Sequence, residues 1–68
     1  MEENVNSKIW FELQWDRFGH VETDLNEIHL TISKVLESAD RPITFRFEKR
    51  VSSPNAYDRA VKDQRRIK

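Results

Sequence analysis

Two runs of alternating residues flank a single helical stripe, and this pattern constrains the fold more than any other feature of the chain. In residues 8–16, Ile9, Phe11, Leu13 and Trp15 point one way, while Lys8, Trp10, Glu12, Gln14 and Asp16 point the other. Aromatic and β-branched residues at period two predict a strand with one buried face. Trp10 breaks the rule, being a large ring on the polar side. In residues 43–51, Ile43, Phe45, Phe47 and Val51 share one face, and Thr44, Arg46, Glu48 and Arg50 share the other. A second strand of the same kind is expected there.

Between the runs, Leu25, Ile28, Ile32, Val35, Leu36 and Ala39 recur at three- and four-residue steps. That spacing predicts a helix over residues 24–39. Asp24 with Glu27 three residues on fits a capping box. Pro42 stops the helix, because the residue before a proline avoids the helical region. Gly19, the single glycine, is expected to supply a positive φ in the turn after the first strand. A short return strand over residues 21–23 is the alternative continuation. After the second strand, Ser53 is a good N-cap and Pro54 a good first helical residue, with Ala56, Tyr57, Ala60, Val61 and Gln64 behind them.

The predicted architecture is therefore α+β, a single small domain with strand, helix, strand and helix in order (βαβα). If the strands pair directly, the first helix is a right-handed crossover and they lie parallel. The expected core sets Ile9, Phe11, Leu13, Trp15, Ile43, Phe45 and Phe47 against Leu25, Ile28, Ile32, Val35 and Leu36. A two-stranded sheet is marginal alone, and both strands would be edges. Completion of the sheet by homodimerisation is expected to answer both problems. Residues 1–7 read as a flexible N-terminus and residues 8–68 as the domain. Within it, residues 52–68 form a basic C-terminal helix polar enough to order only on binding.

Sixty-eight residues allow one domain at most, and a chain of this size folds near the lower limit of core burial. It contains no cysteine, so disulfide staples, thiolate metal sites and cysteine nucleophiles are excluded. No apolar run approaches the length of a membrane span. A mean hydropathy of −0.82 and 35% charged residues predict a cytoplasmic, soluble domain.

Charge divides sharply along the chain. Residues 1–40 carry three basic residues against nine acidic ones, net −6; residues 41–68 carry nine basic against three acidic, net +6. Such asymmetry points to an interaction surface. The alternative is that the two halves neutralise each other on folding.

Two constellations are candidates for binding. The first is the polar face of the sheet, where Trp10 and Glu12 would neighbour Arg46 and Arg50. Trp and Arg are favoured anchors for a protein partner, and a ring beside guanidinium groups can also stack nucleic-acid bases. The alternative is that the second helix covers this face, with Tyr57, Ala60 and Val61 packing on Trp10. The second is the basic C-terminal helix, where Arg59, Lys62, Arg65 and Arg66 lie close enough to meet phosphates. Asp58 and Asp63 interrupt that patch, so a solvated helix end with cations near its C-terminus is the competing account.

Catalytic and metal chemistry find little support. His20, Glu22, Asp24 and His29 could in principle ligate a metal, but their spacing matches no zinc or calcium loop, and no metal or cofactor is expected. Ser52 and Ser53 serve better as caps than as nucleophiles. The strand-helix-strand layout is similar to that of small tautomerase subunits, which use an N-terminal proline as base. Glu2 stands after Met1 here, so that chemistry has no counterpart. The expected function is a non-catalytic interaction module that binds and modulates a larger protein or macromolecular complex with an acidic surface, docking through the charged face or by strand addition. A small RNA- or DNA-associated protein using the basic half is the alternative.

Overall fold

The computed structural model describes residues 7–64. Of the expected flexible terminus at 1–7, only Ser7 falls among them. In chain order the elements are β1 (Lys8–Trp15), β2 (Phe18–Glu22), α1 (Leu25–Ser38), β3 (Arg46–Ser52) and α2 (Pro54–Asp63). The fold is α+β, but the sheet has three strands in the order β2-β1-β3, and both pairings are antiparallel. The two-stranded parallel sheet expected from the sequence is corrected on both counts. The cause is β2, which begins earlier than the return strand weighed at 21–23. It reverses the chain before α1 begins, so β3 enters the sheet running against β1. With β2 absent, the same helix would have been a parallel crossover.

The reversal takes two residues, Asp16 and Arg17, closed by the facing pair Trp15 and Phe18. Two-residue hairpins use primed turns, which need a positive φ at the first loop residue. Asp16 supplies it, at φ 51°, and Gly19 has no positive φ. The expected glycine turn is thus an aspartate turn. Aspartate tolerates the left-handed region because its short side chain can bond locally. Here the Asp16 carboxylate also pairs with Arg41, tying the hairpin tip to the segment after α1.

The core lies where α1 crosses β1 and β2. Leu13, Trp15 and Ile28 are buried, ringed by Phe11, Phe18, Ile32, Val35, Ile43 and Phe45. Trp15 lies 5.8 Å from the Phe18 ring and 5.7 Å from Phe45. Each fully buried apolar side chain of this size contributes about 1.5–3 kcal/mol. β3 starts later than expected, its ladder to β1 ending at Gln14 opposite Arg46. Ile43 and Phe45 still pack against the core from the preceding loop.

α1 begins at Asp24, whose carboxylate accepts from Asn26 N at 2.9 Å. The helix rests on β1 and β2. Its coverage explains which expected core residues stay exposed. Leu25 and Leu36 sit at the flank of the stripe and remain exposed, as do Ile9 (51%) and Phe47 (47%) on the sheet. α2 packs on the opposite side of β1 and β2. Ser53 caps it by accepting from Ala56 N at 3.1 Å, with Pro54 in the first turn, as the sequence predicts. Among the described residues no helix is long and apolar enough to cross a membrane.

Candidate interaction surface

Successive residues of a strand face opposite sides of its sheet. Glu12 and Gln14 therefore stand on the α2 side with Trp10, opposite Glu48, Arg46 and Arg50 of β3 respectively. The residues named for this face are thus brought together, with one change of role. Trp10 is 1% exposed and lies under α2, its ring 5.5 Å from Tyr57 in an edge-on arrangement. The sequence left this ring either displayed to a partner or covered by the second helix; the covered arrangement is the one adopted. A tryptophan on a polar face is satisfied when a second layer arrives to bury it.

Burial of the indole requires a partner for its N–H. Trp10 Nε1 donates to Glu12 Oε2 at 2.8 Å. Glu12 faces Glu48 across the β1–β3 ladder, and like charges directly opposite are unfavourable. Arg50 answers this, with Nη1 3.7 Å from a carboxylate oxygen of each. The chain from Trp10 through Glu12 to Arg50 links a buried ring to a surface cation.

A cleft of about 370 Å³ opens between the sheet and α2. Its floor includes Trp10, Gly19 and Val21, and its α2 wall includes Ala56 and Ala60. Arg50 and Arg59 line it, together with Glu12 and Asp63. Gly19 and the two alanines keep the space open where larger side chains would fill it. At the far end, Val21 N donates to Gln64 Oε1 at 2.9 Å, so the residue that ends α2 occupies an outward group of the β2 edge. Lys8 Nζ stands 4.7 Å from the Tyr57 ring centroid, a cation–π contact that seats the start of α2 against β1.

The opposed charges of the two halves are partly used up by folding. Arg41 pairs with Asp16 and Arg50 with Glu12, each joining the basic half to the acidic one. Arg46, Lys49, Arg59 and Lys62 are exposed and make no ion pair with a carboxylate among the described residues. Arg65 and Arg66 lie outside the described residues. Of the polar cluster before α1, His20 Nε2 lies 3.3 Å from Glu22 Oε2. No three of His, Cys, Asp and Glu gather closely enough to hold a metal among the described residues.

Sequence reasoning missed Gln64 as the tether of α2 to β2, and missed the Glu12–Glu48 opposition. Neither contact has a local signal: Val21 and Gln64 are 43 positions apart, and the opposition exists only in the antiparallel register. Compared with known protein families, with curated proteins and with solved structures, the chain matches none.

Proposed function

We propose that the chain is a cytoplasmic, non-catalytic interaction module that binds the acidic surface of a larger protein or complex and modulates it. The observation that carries this reading is the cleft beside α2, where Arg50 and Arg59 line the same opening. Arg46, on the same face of β3, extends the cationic surface beyond it. A partner carboxylate entering between guanidinium groups gains charge-assisted hydrogen bonds of fork geometry. The surrounding charge raises the rate of encounter more than the final affinity. The cysteine-free, charge-rich composition supports the cytoplasmic setting.

The nucleic-acid reading keeps its cations but loses its stacking ring, since Trp10 lies under α2. Phosphate contacts alone would fall to Arg46, Arg59 and Lys62, together with Arg65 and Arg66 outside the described residues, and the exposed Asp58 and Asp63 lie on α2 beside Arg59 and Lys62.

Two measurements test the proposal together. Affinity capture with the full chain as bait is compared with capture by an Arg46→Glu, Arg59→Glu bait of equal thermal stability. The expected result is a defined protein partner lost from the charge-reversed bait. Unchanged capture by both baits refutes the surface assigned here. Fluorescence anisotropy with mixed-sequence single- and double-stranded oligonucleotides is run at about 50 mM and about 200 mM salt, where phosphate contacts lose most of their affinity. No binding is expected. Binding that collapses at the higher salt overturns the protein-partner reading in favour of the nucleic-acid one.

A further inference from the structure

Among the described residues, the sheet leaves one long edge open. β3 is its outer strand, seven residues long, with Arg46 through Val51 all exposed. It holds no proline, and its ladder to β1 runs without interruption from Ser52 to Arg46. The other edge, β2, is shorter, and Gln64 already takes its Val21 N–H. Beside the open edge lies uncovered apolar surface. Val51 (59% exposed) faces Ile9 across the ladder, and Phe47 stacks on Phe11 at 5.8 Å with its outer side in solvent.

We propose that β3 pairs antiparallel with β3 of a second copy of this chain, centred on Lys49, to make a continuous six-stranded sheet. The occupant follows from the strand's own sequence. A two-fold axis normal to the sheet lets only residues of the same face oppose each other, so the axis must pass through a residue. Centring on Lys49 matches the strand to its full length, Arg46 facing Ser52 of the second copy. It sets Phe47 against Val51 on the α1 side, twice, and Glu48 against Arg50 on the α2 side, twice. Centring one residue earlier opposes Glu48 to itself, Arg46 to Arg50 and Phe47 to Lys49. Centring one residue later opposes Arg50 to itself and Lys49 to Val51. An axis through Phe47 also opposes Arg46 to Glu48, but it pairs only three residues of the strand. Among the symmetric registers that pair five residues or more, only the one centred on Lys49 matches charge with charge and apolar with apolar.

The same register relieves a strain already present within one copy. Glu48 faces Glu12 and shares the single Arg50 with it, whereas the second copy brings another Arg50 to Glu48. One unfavourable pair remains, Lys49 against itself on the axis. In the assembled sheet Arg46 and Arg50 of both copies lie near the axis on the α2 face. The inference does not rest on the partner proposed above, and it is measured on the purified chain alone.

Sedimentation equilibrium and light scattering over a dilution series should return a mass of twice 8.2 kDa at the upper concentrations. A monomer mass throughout, up to millimolar chain, overturns the proposal. Glu48→Arg places Arg against Arg at both symmetric pairs and should weaken the dimer about tenfold or more. The double variant Glu48→Arg, Arg50→Glu restores opposite charges in this register and should recover most of that loss. Equal dimerisation by all three chains shows that another face is used, and refutes the pairing. Lys49→Ala removes the axial repulsion and should tighten the dimer severalfold. Should the charge variants fail to fold, amide exchange of the unaltered chain decides. The outward amides of β3 must exchange more slowly at high than at low concentration, and equal rates overturn the proposal.

Discussion

Replacing Trp10 by phenylalanine separates a ring that holds two layers together from a ring displayed on a surface. Full truncation of a buried tryptophan costs about 3–5 kcal/mol. Phenylalanine keeps most of the side chain, so the lost packing against Tyr57 and the α2 wall is about 1 kcal/mol. The substitution also removes the 2.8 Å bond from Trp10 Nε1 to the Glu12 carboxylate. A hydrogen bond to a charged group is worth about 1.5–3 kcal/mol, but the Glu12 side chain is 21% exposed and water replaces part of it. About 2 kcal/mol in total is expected. A chain of 68 residues has a whole stability of only about 3–10 kcal/mol. Urea unfolding followed by far-ultraviolet circular dichroism reads the change as a lower midpoint, and thermal unfolding as a Tm lower by about 8–16 °C. Exposed positions away from special features change stability by about 0.5 kcal/mol or less. A loss within that smaller range would refute the burial of Trp10 and the docking of α2 upon it.

Three further substitutions probe the joints of the fold. Asp16→Val should cost about 1–2 kcal/mol in urea unfolding, because a β-branched residue is forced to positive φ, whereas Asp16→Gly should stay within about 1 kcal/mol despite losing the exposed Arg41 pair. Ser53→Ala removes the acceptor for Ala56 N and should cost about 1 kcal/mol, seen first as faster amide exchange along α2. Gln64→Ala frees the Val21 amide, which should then exchange faster while amides in the centre of β1 keep their protection.

Much of this molecule is legible in residue order. Period two over residues 8–16 marks β1 to within a residue of its true end. Asp24, Ser53, Pro54 and Pro42 mark where helices start and stop, because caps and prolines act within one turn of chain. These signals are local, and local geometry obeys them. The apolar stripe of α1 is equally clear, but a stripe says only which side of a helix seeks cover. How much of it is covered depends on where the helix lands, and α1 lands on β1 and β2. Leu25, Leu36 and Phe47 stay in water for that reason.

The topology turned on five residues of weak pattern, Phe18 to Glu22. Gly19 and His20 interrupt any strand signal there, and the positive φ came from Asp16 instead of the glycine. Once β2 pairs with β1, the direction of β3 is set by the number of reversals before it, which no single segment encodes. The candidate surface shows the same division. Residue order groups Trp10 with Glu12 and Arg46 with Arg50 by alternation within each strand, and the apolar face opposite each pair turns both pairs to one side. Tertiary structure decided that Trp10 is roofed by Tyr57, that Glu12 serves its indole, and that Arg50 stands between two carboxylates. Alternation is a property of one strand's backbone and is written in its sequence. Cover, opposition and register are properties of pairs of elements, and they exist only after those elements have met.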